Sequence, residues 1–126
     1  MFENIQMMRM ARALTAHAAD RHVATARNIA NADTPGYRAT DLGEFEESFA
    51  QGTALRVSDP RHLPAPDWTP GAARLAETAT PMSPNGNSVS LEEELVRAAD
   101  VKRQHDLSLA VYRSGLDLMR SGLGRN

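Results

Sequence analysis

The placement of proline and glycine constrains this chain more than any other feature. Six of the seven prolines fall between Pro60 and Pro84, while the first thirty residues contain neither proline nor glycine. Proline lacks a backbone donor and fixes φ, so the middle of the chain cannot hold a long helix or a central strand. Phe2 to Ala30, rich in Ala, Met and Arg, is free to run as one helix. At 100° per residue Met7, Met8, Ala11, Leu14, Ala18, Ala19, Ala26 and Ile29 share one half of its wheel, with Arg9, His17, Asp20, Arg21 and Arg27 on the other. The apolar half consists mostly of small residues, which let a partner helix approach closely.

The last zone opens after "SPNGNSVSLEEE". Asn85-Gly86 is a turn signal, and Ser90 with Glu93 three residues later has the form of a capping box. Glu92, Glu93 and Glu94 set negative charge at the positive end of the helix dipole. Leu91, Leu95, Ala98, Lys102, His105, Leu109, Tyr112, Leu116, Met119 and Leu123 then recur at alternating spacings of four and three, a heptad seam. At 1.5 Å per residue it runs about 50 Å, more than a domain this small covers by itself.

The fold expected is mainly α. Long N-terminal and C-terminal helices pack as an antiparallel coiled-coil pair, joined by an irregular proline-rich middle with little strand. Residues 1–37 form the first helix and its turn, 38–88 the middle, and 89–126 the heptad helix; the first and third build the single core domain. A brief helix near 42–50 is capped by Asp41 with Glu44 and carries Leu42, Phe45 and Phe49 on one face. A short strand near Leu55 to Val57 is expected, with Trp68 pinning the loop.

Aromatics make up only 5% of the 126 residues, so a compact globule would be thinly filled. An elongated or assembled protein fits better. Net charge is −2 with no strongly basic segment: four basic and three acidic residues in 1–37, four and seven in 38–88, six and six in 89–126. That distribution lacks the basic footprint of a nucleic-acid binder. The absence of cysteine excludes disulfides and thiolate metal sites. No apolar run reaches membrane-span length, and "MFENIQMMRMARAL" does not have the form of a secretory signal. His17 and His22 stand about 140° apart on a helix and cannot share a metal. No phosphate loop, nucleophile elbow or dinucleotide fingerprint is present. No catalytic residue, metal or cofactor is expected.

"NIANADTPGYRA" interrupts the first helix. Pro35 presets φ at the second position of a turn, and Gly36 accepts the positive φ that a type II turn needs at the third. Asn31 is suited to a left-handed helix cap. The stretch also resembles the N-terminal signature of the flagellar rod and hook proteins: Asn-hydrophobic-Ala-Asn, two variable residues, Thr-Pro-Gly-Tyr and a basic residue. Asn28, Ile29, Ala30, Asn31, Thr34, Pro35, Gly36, Tyr37 and Arg38 match it. "SPNGNSVSLEEEL", including Asn85, Gly86, Asn87, Ser90 and Glu93, looks like the lead into the C-terminal helix of one short member of that family. Ser90 stands where an Asp is frequent there, and His105 where Tyr is common.

The resemblance implies a non-enzymatic subunit of the bacterial flagellar basal-body rod, in its proximal part. It would polymerise through its terminal helices into the periplasm-crossing drive shaft and leave by flagellar type III export without a cleaved signal. The implied partners are copies of itself, other rod subunits, and basal-body base and export gate proteins. Nucleic acid, small-molecule substrates and membrane insertion are not implied. Leu14, Ile29, Leu91, Leu95, Leu109, Tyr112, Leu116 and Met119 would carry the assembly seam. A cytoplasmic coiled-coil adaptor or export chaperone would use the same heptads but needs no Thr-Pro-Gly-Tyr turn. A small cell-wall enzyme would need an acid/base pair on a scaffold.

Overall fold

The computed structural model describes residues 2–50 and 75–124. Its elements are α1 (Phe2–Ala30), β1 (Thr40–Leu42), α2 (Phe45–Ala50), β2 (Leu75–Glu77) and α3 (Leu91–Leu123). The strand expected near residue 56, Trp68 and the run from Pro60 to Pro70 lie outside the described residues.

The two long helices dominate and lie against each other. They run antiparallel: Met8 meets Gly115, the Thr15 hydroxyl bonds that of Ser108 at 2.7 Å, and Asn28 bonds Glu94 at 3.1 Å. On α3 the buried positions are Glu94, Val101, Ser108 and Gly115, seven residues apart. Only one of these four is a large apolar residue. At Gly115 the approach is so close that a Cβ would come within 2.9 Å of Met8 Cγ.

The interior is correspondingly small. Among the described residues its apolar part is five alanines (11, 13, 18, 24 and 39) with Leu42 and Val101. Glu94, Val101, Asn28, Thr25 and Ser108 are the largest fully buried side chains, four of them polar. β1 and β2 pair antiparallel, Thr40 opposite Glu77 and Leu42 opposite Leu75.

Several local expectations are corrected. His17, expected on the polar half of α1, is only 4% exposed, whereas Ala19 and Ala26 from the apolar half are exposed. The cause is that α1 has two neighbours, α3 on one side and β1 with α2 on another. A wheel with one apolar arc cannot represent both contacts. Asp41 and Leu42 belong to β1 rather than to the cap and face of α2, which begins beyond Glu44. Ser90 does sit at the N-cap of α3 with extended backbone, but its side chain makes no capping bond. Asn31 does not take a left-handed conformation: among the described residues only Gly36 (φ 73°) and Gly86 (φ 79°) have positive φ.

Candidate functional site

The end of α1 shows why its turn carries so much side-chain identity. Thr34 to Tyr37 closes as the expected type II turn: the Tyr37 amide donates to the Thr34 carbonyl at 3.3 Å, across Pro35 and the positive-φ Gly36. Asn85-Gly86 forms the second turn, in which the Gly86 amide donates to Ser83 O at 2.8 Å. The two turns then dock backbone to backbone. Gly36 N–H donates to Asn85 O at 3.0 Å and Ser88 N–H to Tyr37 O at 3.0 Å. A Cβ on Gly86 would stand 3.4 Å from Gly36 Cα. The positive φ thus favours glycine at both position 36 and position 86.

Two asparagines lock this junction. A helix ends with several carbonyls lacking an intrahelical partner. Local amides meet that need, Asn31 N–H donating to Arg27 O and Asn28 O and Ala32 N–H to Ile29 O. The buried Asn87 Nδ2 lies 2.8–2.9 Å from the carbonyls of Asn31, Ala32 and Thr34 just beyond the helix. Asn31 adds its own Nδ2 bond to Arg27 O at 2.8 Å, and its Oδ1 accepts the Thr34 hydroxyl at 3.2 Å. With those carbonyls satisfied, no left-handed cap is needed.

Asn28 is the second lock, and it is 0% exposed. A side-chain amide offers two donor hydrogens and an oxygen with two lone pairs, and all four are used. Nδ2 donates to Thr40 O at 2.9 Å and to Glu94 Oε1 at 3.1 Å. Oδ1 accepts the Thr40 amide at 3.1 Å and the Tyr37 hydroxyl at 3.3 Å. One residue therefore joins α1, the turn, β1 and α3. By bonding both backbone groups of Thr40 it does what a third strand would do for β1.

A charged layer continues the network. Asp41 receives Arg21 in a two-point fork, Nε to Oδ1 at 3.1 Å and Nη2 to Oδ2 at 2.7 Å, and Arg97 Nε at 3.3 Å. Arg97 also bonds Glu94. The Asp41 carboxylate holds the Arg21 guanidinium above its usual pKa, outweighing the cost of burial. Beside it His17 Nε2 bonds Gly43 O at 2.9 Å, and its ring meets Phe45 edge-on. Burial pushes the His17 pKa down; the nearby Arg21 adds to this, while the Gly43 bond opposes it. This constellation is a mechanical clasp.

The seam residues fare differently. Leu14, Ile29, Leu109, Tyr112, Leu116 and Met119 are half-buried, whereas Leu91 and Leu95 are exposed. They border the contact between α1 and α3 rather than form its centre. Among the turn residues Ala30, Thr34, Pro35, Asn85 and Glu93 face solvent. No spacing in the chain announces Arg21, Asp41, Glu94 and Arg97 as a network. Glu94 was visible only as a dipole partner, and nothing in chain spacing joins it to Asn28.

Among the described residues no three His, Asp or Glu side chains are placed to hold a metal ion. No described helix is long and apolar enough to cross a membrane. No protein-family model matches the chain. Curated relatives do match, among them several named flagellar basal body rod protein FlgB. That of Agrobacterium fabrum is 30% identical, covering 87% of each chain. The Escherichia coli K12 relative is 36% identical over 82% of this chain and 86% of its own. The Salmonella typhimurium relative is 32% identical over 83% of each. The chain belongs to the FlgB family of flagellar basal body rod proteins.

Proposed function

We propose that this chain is a structural, non-enzymatic subunit of the basal-body rod, polymerising through α1 and α3. Its partners are further copies and other rod subunits, with basal-body base and export gate proteins at the end of the shaft. It travels through the flagellar type III apparatus without a cleaved signal and works in the periplasm-crossing rod as part of the torque-bearing shaft.

One observation carries the assembly reading: the large apolar side chains point away from the chain's own interior. Ile5, Met10 and Val23 on α1, and Leu95, Leu107 and Leu118 on α3, are all exposed, while alanines and polar groups fill the inside. Large apolar side chains left uncovered on both helices favour a neighbouring chain that covers them. Surfaces that differ between the two helices favour head-to-tail contacts, which propagate rather than close.

The test is a double variant, Leu107→Asp with Leu118→Asp, expressed in place of the wild-type chain. Normal secretion with loss of incorporation into basal bodies, and loss of swimming, is expected, because only the assembled state must bury those carboxylates. Normal rods and swimming would contradict the proposal. A stable dimer of the purified wild-type chain, broken by the same changes, would favour the cytoplasmic adaptor.

A further inference from the structure

We propose that Asn85-Gly86 is a self-modification site, reactive toward deamidation in the unfolded chain and silenced when the two turns dock. The chemistry needs only water. The Gly86 backbone nitrogen, losing its proton to solvent base, attacks Asn85 Cγ and expels the side-chain nitrogen as ammonia, closing a succinimide ring. Water opens the ring at either carbonyl and leaves aspartate or isoaspartate. The net change is one water consumed and one ammonia released.

Of the six asparagines only Asn85 precedes glycine. Asn28, Asn31 and Asn87 are followed by Ile29, Ala32 and Ser88, whose side chains crowd the attacking nitrogen. In the unfolded chain Asn85 is therefore the reactive position.

Folding removes both reactants from each other. The Gly86 N–H is donated to Ser83 O at 2.8 Å, which opposes its deprotonation. The Asn85 side-chain oxygen accepts the Asn87 amide at 3.0 Å, which fixes the electrophilic carbon. The Asn85 backbone carbonyl is held by Gly36 N–H at 3.0 Å, so the turn cannot rotate without undocking. Asn85 itself is exposed, so protection comes from these bonds and not from exclusion of water.

The product matters because isoaspartate adds a methylene to the main chain and a negative charge at the docking point. The carbonyl that accepts Gly36 N–H is displaced, and the turns no longer fit. Deamidation would then be an irreversible mark of chains that stayed unfolded too long.

The experiment incubates the full chain in mildly alkaline buffer with and without denaturing urea. Protease digestion, mass spectrometry and enzymatic methylation of isoaspartate follow. Conversion at Asn85 is expected to be at least about tenfold slower in the native protein, the factor that ~1.4 kcal/mol of local opening energy supplies. In urea it should outpace conversion at Asn28, Asn31 and Asn87. Gly36→Ala, whose added Cβ meets nothing within 4 Å, should raise the native rate by loosening the docking alone. Equal rates with and without urea, an unreactive Asn85 in urea, or an unchanged rate in native Gly36→Ala would each overturn the proposal.

Discussion

The two ends of the helical pair are built on opposite terms. At the turn end, Asn28, Asn87 and Glu94 are buried and bonded across four segments of chain. At the other end Leu118 and Leu123 are 56 and 81% exposed and Ile5 and Met10 nearly half, although Leu91, Leu95 and Val96 beside the turns are exposed as well. Buried polar groups cost free energy unless bonded and apolar groups gain it when covered. The turn end is thus tied together by bonds within one chain, while apolar side chains at both ends stay uncovered. Bonds within the chain fix the shape at the turn end.

The sharpest way to break this contrast is Asn28→Ala. It strands the Tyr37 hydroxyl and both backbone groups of Thr40, and leaves the buried Glu94 to Arg97 alone. A loss on the order of 3–5 kcal/mol in urea unfolding is expected, since each stranded buried group costs about 1–3 kcal/mol. Leu118→Ala at the exposed end should stay within about 0.5 kcal/mol of wild type. Comparable losses in the two variants would erase the distinction.

Gly36→Val comes next. Because a Cβ there meets nothing within 4 Å, the cost is the strained φ of 73° and not a clash. About 1–3 kcal/mol is expected from the same unfolding measurement.

His17 gives a smaller, pH-dependent effect. Its folded pKa lies below the ordinary 6.5 because burial disfavours the imidazolium. The unfolded chain therefore binds the proton first. Stability should fall as pH drops below 6.5 toward the folded pKa, and level off beneath it. In His17→Gln that portion of the pH dependence should vanish from paired unfolding curves.

The smallest effect is expected for Gly115→Ala. Replacing glycine gains about 1 kcal/mol of helix propensity, set against a 2.9 Å approach to the flexible Met8 side chain. The midpoint should move little in either direction.

The regular parts of this fold were legible because backbone chemistry writes them into local sequence. Freedom from Gly and Pro gives α1, and Pro35 with Gly36 gives a turn whose φ the structure reproduces. The clasp was not legible in the same way. Asn87 reaching the end of α1, and Asp41 reaching Arg21 and Arg97, join residues far apart in the chain with no period to announce them. Apolar periodicity also drew attention to the leucines. The central helix contact uses Glu94, Val101, Ser108 and Gly115, three of which no hydrophobic pattern selects. Large side chains stand where small ones let the backbones close, beside that contact or facing away. The motif itself was legible as identity; its mechanics needed the partner turn.

The central claim, that the chain's own bonds hold the turn end more firmly than the far end, is tested most directly by amide hydrogen exchange on the dilute protein. Residues 24–30 and 91–101 should be protected, while 5–12 and 112–123 exchange much faster and gain protection only in assembled rods. Equal, strong protection along both helices in the dilute chain would contradict the account.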